Sequence, residues 1–274
     1  MFCAEFIEDK MPRISVLMGV YNCETTIEES IDSILCQTYT DWELIICDDG
    51  STDNTVEIIN EYCERFPEKI RLIKHDSNLG LNQTLNDCLD LAEGEIIARM
   101  DGDDISLPTR FEKEIIEFDK EPELSVVSCP MIYFDESGDW KTGVVHNKYP
   151  SPNNLVHGTI HAHAPCMIKT SVMREVGGYT VDKRLLRVED WHLWVKVYSH
   201  GYYGKNISEP LYKMRDDHAA TKRRKFKYRL NEAYVIILTV KTFHLSKINY
   251  FFAFRPIIVG LLPTFIYEFL HKHS

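Results

Sequence analysis

The sequence predicts an α/β fold: a mostly parallel central sheet flanked by helices, followed by a C-terminal helical tail. Three observations carry that prediction. Apolar runs alternate with amphipathic stretches four times within about the first hundred residues, the pattern of a doubly wound sheet. The run Ile14–Val20, "ISVLMGV", is apolar almost throughout, as suits a strand buried on both faces. Polar clusters at Tyr21-Asn22, Asp48-Asp49 and Asp101 to Asp104 follow the strand runs. In such sheets ligands bind beyond the carboxyl ends of the strands, which places the three clusters on one rim.

Each element follows from its residues. After Ile14–Val20 a helix is expected, because Ile27, Ile31, Ile34 and Leu35 recur at helical spacing and make one apolar stripe. Glu43 to Cys47 reads as the second strand. Ser51, Thr52 and Asp53 suit the cap of the next helix, whose apolar positions are Val56, Ile59, Cys63 and Phe66. Ile70 to Lys74 is the third strand. Leu81, Leu85, Cys88, Leu89 and Ala92 share one face of a third helix that Gly94 ends. A fourth strand delivers Asp101.

Beyond it the pattern loosens. "ELSVVSCPMIYFD" implies further strands, and "DWKTGVV" a partner for them in a mixed sheet. "HGTIHAHAPCMIKTSVMREVGGY" implies a short strand and helix before the Gly177-Gly178 turn. Alternation sets His161 and His163 on one face of an expected acceptor-side strand. With His157 they invite a zinc reading, but further ligands are lacking. Glu189 to His200 reads as a helix stopped by Gly201.

Composition narrows the class. The chain has 274 residues, 44% hydrophobic and 27% charged, as ordinary globular proteins do. Thirty-one basic against 42 acidic residues give a net charge of −11, which disfavours a general nucleic-acid binder. Eight cysteines without a CxxC pair lie mostly in apolar segments, implying reduced core residues and a cytoplasmic setting. "MFCAEFIEDKMPR" has acids where a secretory signal needs an apolar core, so residues 1–12 are expected to be an extension before the first strand.

The densest cluster, "EIIARMDGDDISLPTR", poses a chemical question. Three aspartates within four residues repel one another and favour protonation unless a cation joins them. Residue chemistry alone leaves a solvated acidic turn, a divalent-metal site and a nucleophilic aspartate open. A nucleophilic Asp101 would make the chain an aspartyl phosphatase, which leaves "DDGSTDNT" and Asp190 unexplained. A non-catalytic nucleotide- or carbohydrate-binding protein would use the same acids without turnover.

The stretches "SVLMGVYNCETTIEESIDSILCQTYTDWELIICDDGSTDNT", "SNLGLNQTLNDCLDLAEGEIIARMDGDDISLPTR" and "GGYTVDKRLLRVEDWHLWVKV" together resemble the inverting nucleotide-sugar glycosyltransferases of family 2. The family's catalytic domain has the GT-A fold, Rossmann-like, and the resemblance covers roughly Arg13 to His200. It implies a catalytic domain over 13–221, with a nucleotide-binding half (13–110) and an acceptor-binding half (111–221). Asp49 is then expected to contact a uracil-type base and Asp48 to support the turn or ribose. Val20, Tyr21, Asn22, Glu24, Gly50 and Asn78 would surround the nucleotide, and Gly102 would let the backbone approach it.

The resemblance further makes Asp103 a direct ligand of Mn²⁺ or Mg²⁺, with Asp101 and His218 beside it. Such hard cations prefer oxygen ligands and keep positions for diphosphate oxygens. Asp190 would be the general base that takes the proton of an acceptor hydroxyl, while Glu189, Trp191 and His163 would lie on the acceptor side. The QxxRW motif of processive synthases is not found, which implies transfer of a single sugar. The implied donor is a UDP-sugar, and the acceptor a saccharide or lipid-linked saccharide of surface polysaccharide synthesis.

The tail, 222–274, is basic and then apolar. Lys222-Arg223-Arg224-Lys225 precedes "YVIILTVKTF" and "NYFFAFRPIIVGLLPTFIYEFL". Arg255, Pro256, Pro263 and Glu268 interrupt the second run, so a spanning helix is disfavoured. The expectation is a tail lying on the cytoplasmic membrane surface, or packed on this chain or on a second copy in a homo-oligomer.

Overall fold

The computed structural model describes residues 11–216 and 226–261. His218, the basic run 222–225 and the last part of the tail lie outside the described residues.

Four parallel strands form the centre: β1 (Ile14–Val20), β2 (Trp42–Asp48), β3 (Ile70–Lys74) and β4 (Ile96–Asp101). β1 lies between β2 and β4, with Val20 opposite Asp48 and Gly19 opposite Asp101. Alternate side chains leave opposite faces, so each strand feeds two cores. Leu17, Ile45 and Ile97 join one core, while Val16, Met18, Leu44, Ile46, Ala98 and Met100 join the other. α1 (Ile27–Leu35), α2 (Thr55–Arg65) and α3 (Leu81–Leu91) are the expected crossovers. α3 stops before Gly94. That glycine is needed elsewhere, because a Cβ there would lie 2.6 Å from the Ser15 nitrogen.

After the two-residue β5 (Ile105–Ser106) and α4 (Arg110–Lys120), β6 (Val126–Ser128), β9 (Met167–Lys169) and β10 (Gly204–Asn206) complete a seven-stranded sheet. Its order is β10-β6-β9-β4-β1-β2-β3, with β9 antiparallel to both neighbours. β7 (Met131–Asp135) and β8 (Gly138–Thr142) do not enter it. They form a second, four-stranded sheet, β5-β11-β7-β8, with β11 (Tyr212–Arg215). The chain leaves the first sheet at Cys129-Pro130, where proline offers no N–H for continued pairing.

The expected strand through His161 and His163 is absent. β9 and β10 already occupy the places beside β4 and β6, and residues 157–163 form an irregular segment. α5 (Thr170–Glu175) and α6 (Glu189–Ser199) match the short helix and the late helix read from sequence.

The tail forms α7 (Phe226–Thr242), a 3-10 turn Lys247–Ala253, and α8 (Phe254–Leu261). Val235, Ile236 and Val240 are buried in the core that α6 also enters, so this part of the tail packs on its own chain. Ile248, Phe251, Phe254, Ile258 and Leu261 remain exposed. Among the described residues no helix is long and apolar enough to cross a membrane.

Arg110 opens α4 and is fully buried. Its Nη2 donates to the Arg99 carbonyl (2.8 Å), Nη1 to Ser106 Oγ (3.3 Å) and Nε to Glu114 Oε2 (3.2 Å). It thereby ties α4 to the strand and loop that carry the aspartates. Arg110→Met should cost about 3–5 kcal/mol, because Glu114 keeps its burial and loses its partner. Urea unfolding checks this; a loss under about 1 kcal/mol would contradict the clamp.

Candidate active site

The C-terminal rim of the central sheet gathers the acids because parallel strands all end on the same side. Asp49 N–H donates to the Val20 carbonyl (2.9 Å), locking the β2 loop to the end of β1. Asp48 Oδ2 accepts from Gly50 N (3.1 Å) and Ser51 N (3.0 Å), which closes the turn, while its Oδ1 is buried without a hydrogen-bond partner. Gly50 has φ +78°, and a Cβ there would sit 2.9 Å from the Ser77 backbone. Glycine lets the 76–80 loop close onto the turn.

Asp49 carries that loop. Its Oδ1 accepts from Leu79 N (2.8 Å) and its Oδ2 from Gly80 N (2.8 Å). Tyr21 stands exposed at the end of β1, and Asn78 is exposed on the facing loop. Asn22 and Glu24 have other duties. Asn22, at φ +52°, accepts from Thr52 N (2.9 Å) and staples the two rim loops. Glu24 accepts from both Asn54 N (3.0 Å) and Asn54 Nδ2 (2.9 Å) at the start of α2.

The acid loop is divided by burial. Asp104 is buried and accepts from Arg215 N (2.8 Å), so it braces the loop against β11. Asp101 accepts from the buried Arg99 (2.6 Å), and its backbone N–H donates to Tyr212 Oη (3.1 Å). Asp103 is exposed, with its carbonyl held by Arg215 Nε (2.9 Å). Desolvation, then the charge of Asp101, raises the Asp103 pKa above its ordinary value. A crowded pair of oxygen donors with one member held above its normal pKa suits a hard divalent cation. Gly102 makes the loop compact: a Cβ would lie 2.7 Å from Val20 Cγ1, and its carbonyl accepts from Thr26 Oγ1 (2.9 Å). Its glycine is required by packing against Val20 and Ile27.

Asp190 lies in the first turn of α6. Burial, and then the neighbouring Glu189, push its pKa up to about 6, while the Thr159 hydroxyl and the Trp191 backbone N–H hold it down. The buried Tyr179 feels the charges of both Asp190 and Asp101. A carboxyl group with a pKa near 6 is ionised at neutral pH yet basic enough to take a proton.

Two residues placed on the acceptor side lie deeper than expected. Trp191 is 7% exposed and its Nε1 donates to the Leu155 carbonyl (2.8 Å), so its ring is not free to stack on a sugar. His163 pairs through Nε2 with Tyr179 Oη (2.8 Å) and lies edge-on to Trp194. Burial, then Arg99, lowers its pKa well below normal, which keeps it neutral. Glu189 is half-buried beside Asp190. Arg99, Arg215, Tyr212 and His75 were not singled out from sequence. Only Arg99 had a readable signal: a cation inside an apolar strand, two residues before Asp101 and on the same face.

The fold is a mostly parallel α/β sheet with acidic residues gathered at its C-terminal rim. The family model "Glycosyl transferase family 2" matches residues 15–177, and the chain belongs to that family. It is 39% identical over 261 residues to the putative glycosyltransferase EpsE of Bacillus subtilis (strain 168), covering 95% of this chain and 94% of EpsE. Among solved structures it is similar to S. aureus TarS 1–349 in complex with UDP-GlcNAc (TM-score 0.68, 18% identical, 91% of this chain and 71% of that one). It is also similar to the mannosyltransferase PcManGT of Pyrobaculum calidifontis in complex with GDP-Man and Mn²⁺ (TM-score 0.60, 21% identical, 92% and 69%). These likenesses give the GT-A architecture. The protein is a glycosyltransferase, and the phosphatase reading of Asp101 falls away.

The raised Asp190 pKa has a stability consequence. The fold binds that proton more tightly than the unfolded chain, so the ionised carboxylate destabilises the native state increasingly from about pH 4 up to about 6. Asp190→Asn should therefore melt at a higher temperature than the wild type at pH 7, with the gap closing below about pH 4. Calorimetry at both pH values checks it, and an equal or lower melting point at pH 7 would contradict the assigned environment.

Proposed function

We propose that the protein is a metal-dependent, inverting glycosyltransferase that moves a single sugar from a UDP-linked donor to a saccharide or lipid-linked saccharide in surface polysaccharide synthesis. The reading is supported by the side-by-side placement of Asp48-Asp49 and Asp101-Asp103 at neighbouring strand ends, with the charges of Asp101 and Asp190 both acting on Tyr179. Asp49 keeps acceptor capacity for a base N–H, and Asp48 supports the turn beside it through Gly50 N and Ser51 N. Tyr21 offers an exposed ring beside them.

Asp103 and Asp101 would hold Mn²⁺ or Mg²⁺. Once bound, the cation offsets charge on the departing nucleoside diphosphate. Arg99 keeps Asp101 in place, and Arg215 fixes the loop backbone at Asp103 and Asp104. Asp190 receives the proton of the acceptor hydroxyl as its oxygen attacks the anomeric carbon from the face opposite the diphosphate. That geometry inverts the anomeric configuration. The division 13–221 and 222–274 is kept as a catalytic domain and a tail. The tail's exposed apolar residues, Ile248, Phe251, Phe254, Ile258 and Leu261, support contact with the cytoplasmic leaflet where a lipid-linked acceptor would lie.

Asp103→Asn should remove manganese-dependent UDP binding, measured by calorimetry; binding that still responds to Mn²⁺ would count against the ligand assignment. Asp190→Asn should keep donor affinity and slow transfer by about 10²–10⁴-fold. Near-normal turnover in that variant would take Asp190 out of the base role. Phe251→Glu combined with Phe254→Glu should abolish flotation with anionic vesicles while leaving UDP affinity unchanged. Undiminished flotation would remove the membrane contact.

A further inference from the structure

We propose that His75, held as an imidazolium between Asp87 and Asp49, is a positioning residue for nucleotide recognition. The inference rests on the nucleotide reading of Asp49 above.

His75 follows β3, and its backbone N–H donates to the Asp48 carbonyl (2.9 Å), so the residue is anchored to the recognition turn. Its Nδ1 lies 2.9 Å from Asp49 Oδ1 and its Nε2 lies 2.8 Å from Asp87 Oδ2. Ionised carboxylates only accept, so both ring nitrogens must donate, and an imidazole with two N–H groups is the cation. The groups facing the ring are Cys47 from β2, Asp49 from the turn that follows it, and Asp87 from α3, with Cys88 beyond Cys47. Burial opposes the charge, but the hydrogen bonds to Asp49 and Asp87 outweigh it and raise the pKa.

The ring fixes Asp49 at the oxygen that also receives Leu79 N–H. Asp87 is itself oriented by Gln83 Nε2 (2.8 Å). A relay therefore runs from α3 through His75 to Asp49 and on to the 76–80 loop. Deprotonation leaves the ring one N–H for two carboxylates. Asp49 then loses either its donor or its orientation, and the loop loses its tether. UDP affinity should fall as pH rises through the His75 transition.

The cluster admits a rival. Cys47, His75 and Asp87 present ligand atoms within 4.8 Å of one another, a donor set that zinc accepts. The two readings differ in metal content and in pH response.

The test is UDP titration in the presence of Mn²⁺ from pH 6 to 9, on wild type, His75→Gln and Asp87→Asn. Wild-type affinity should decline with rising pH. His75→Gln should bind about tenfold more weakly at pH 6.5, as loss of a charge-assisted hydrogen bond implies, and should show no such decline. Asp87→Asn should move the decline to lower pH. Saturating-donor turnover should change little in both variants, which separates positioning from chemistry. Affinity within twofold of wild type in His75→Gln overturns the proposal, as does stoichiometric zinc lost with that substitution. If the wild type binds no UDP at any pH, the donor assignment fails instead. Nitrogen NMR of the His75 ring then decides, a neutral ring at pH 7 overturning the inference.

Discussion

Like-charge repulsion along one edge of a sheet is the constraint on which this structure depends. Parallel strands all end on the same side, so a fold that places ligand chemistry at strand ends concentrates carboxylates there. Asp48, Asp49, Asp101, Asp103 and Asp104 are the result, and α6 adds Asp190 from its first turn. Each is stabilised differently. Asp48 and Asp49 are held by backbone N–H groups, Asp101 by buried Arg99, and Asp104 by the Arg215 backbone. Burial raises the pKa values of Asp103, Asp104 and Asp190. Asp103 and Asp190 are the two of these proposed for cation and proton.

Stability and function therefore oppose each other at specific atoms. Asp103 would be better served by a fixed partner, and Asp190 by solvent. The surrounding structure offsets this locally. The core on both faces of β1 and β4 is continuous, and Gly102 fits against Val20 and Ile27 so closely that the acid loop cannot drift. A loop carrying repelling charges holds one shape because its backbone is gripped by Thr26 at the start of α1 and by Tyr212 and Arg215 of β11.

Local pattern made the first half legible. Ile14–Val20 and Ile70–Lys74 matched residue for residue, because a continuous apolar run bounded by polar residues has little freedom to be anything else. The motif acids were legible for the same reason: spacing and strand polarity fix their position. The second half was less so. β6, β9 and β10 have only three residues each, too few for periodicity, and β9 runs antiparallel inside an otherwise parallel sheet. His161 and His163 show alternation without a strand, since the sheet places they would need are occupied. Nor could sequence spacing predict that Trp191 faces inward, because both faces of α6 are covered. Glu24 and Asn22 lie in the loop after β1, where their side chains hold the rim loops together.

The two sheets have separate tasks. The seven-stranded sheet sets the distance between Asp48-Asp49 and Asp101 through register, since β1 alone separates β2 from β4. The smaller sheet sets the attitude of the acid loop: β5 leaves it directly, and β11 returns to brace it through Tyr212 and Arg215. β7, which pairs with β11 in that sheet, continues into the exposed β8. Changes in β8 and its flanking loops can alter what lies beside the acids without disturbing strand register. The two sheets meet at the acid loop, at Pro130, along the 207–211 connection and in the core around Tyr212, so the β8 edge is the part of the smaller sheet that can vary while the register of the larger one stays fixed.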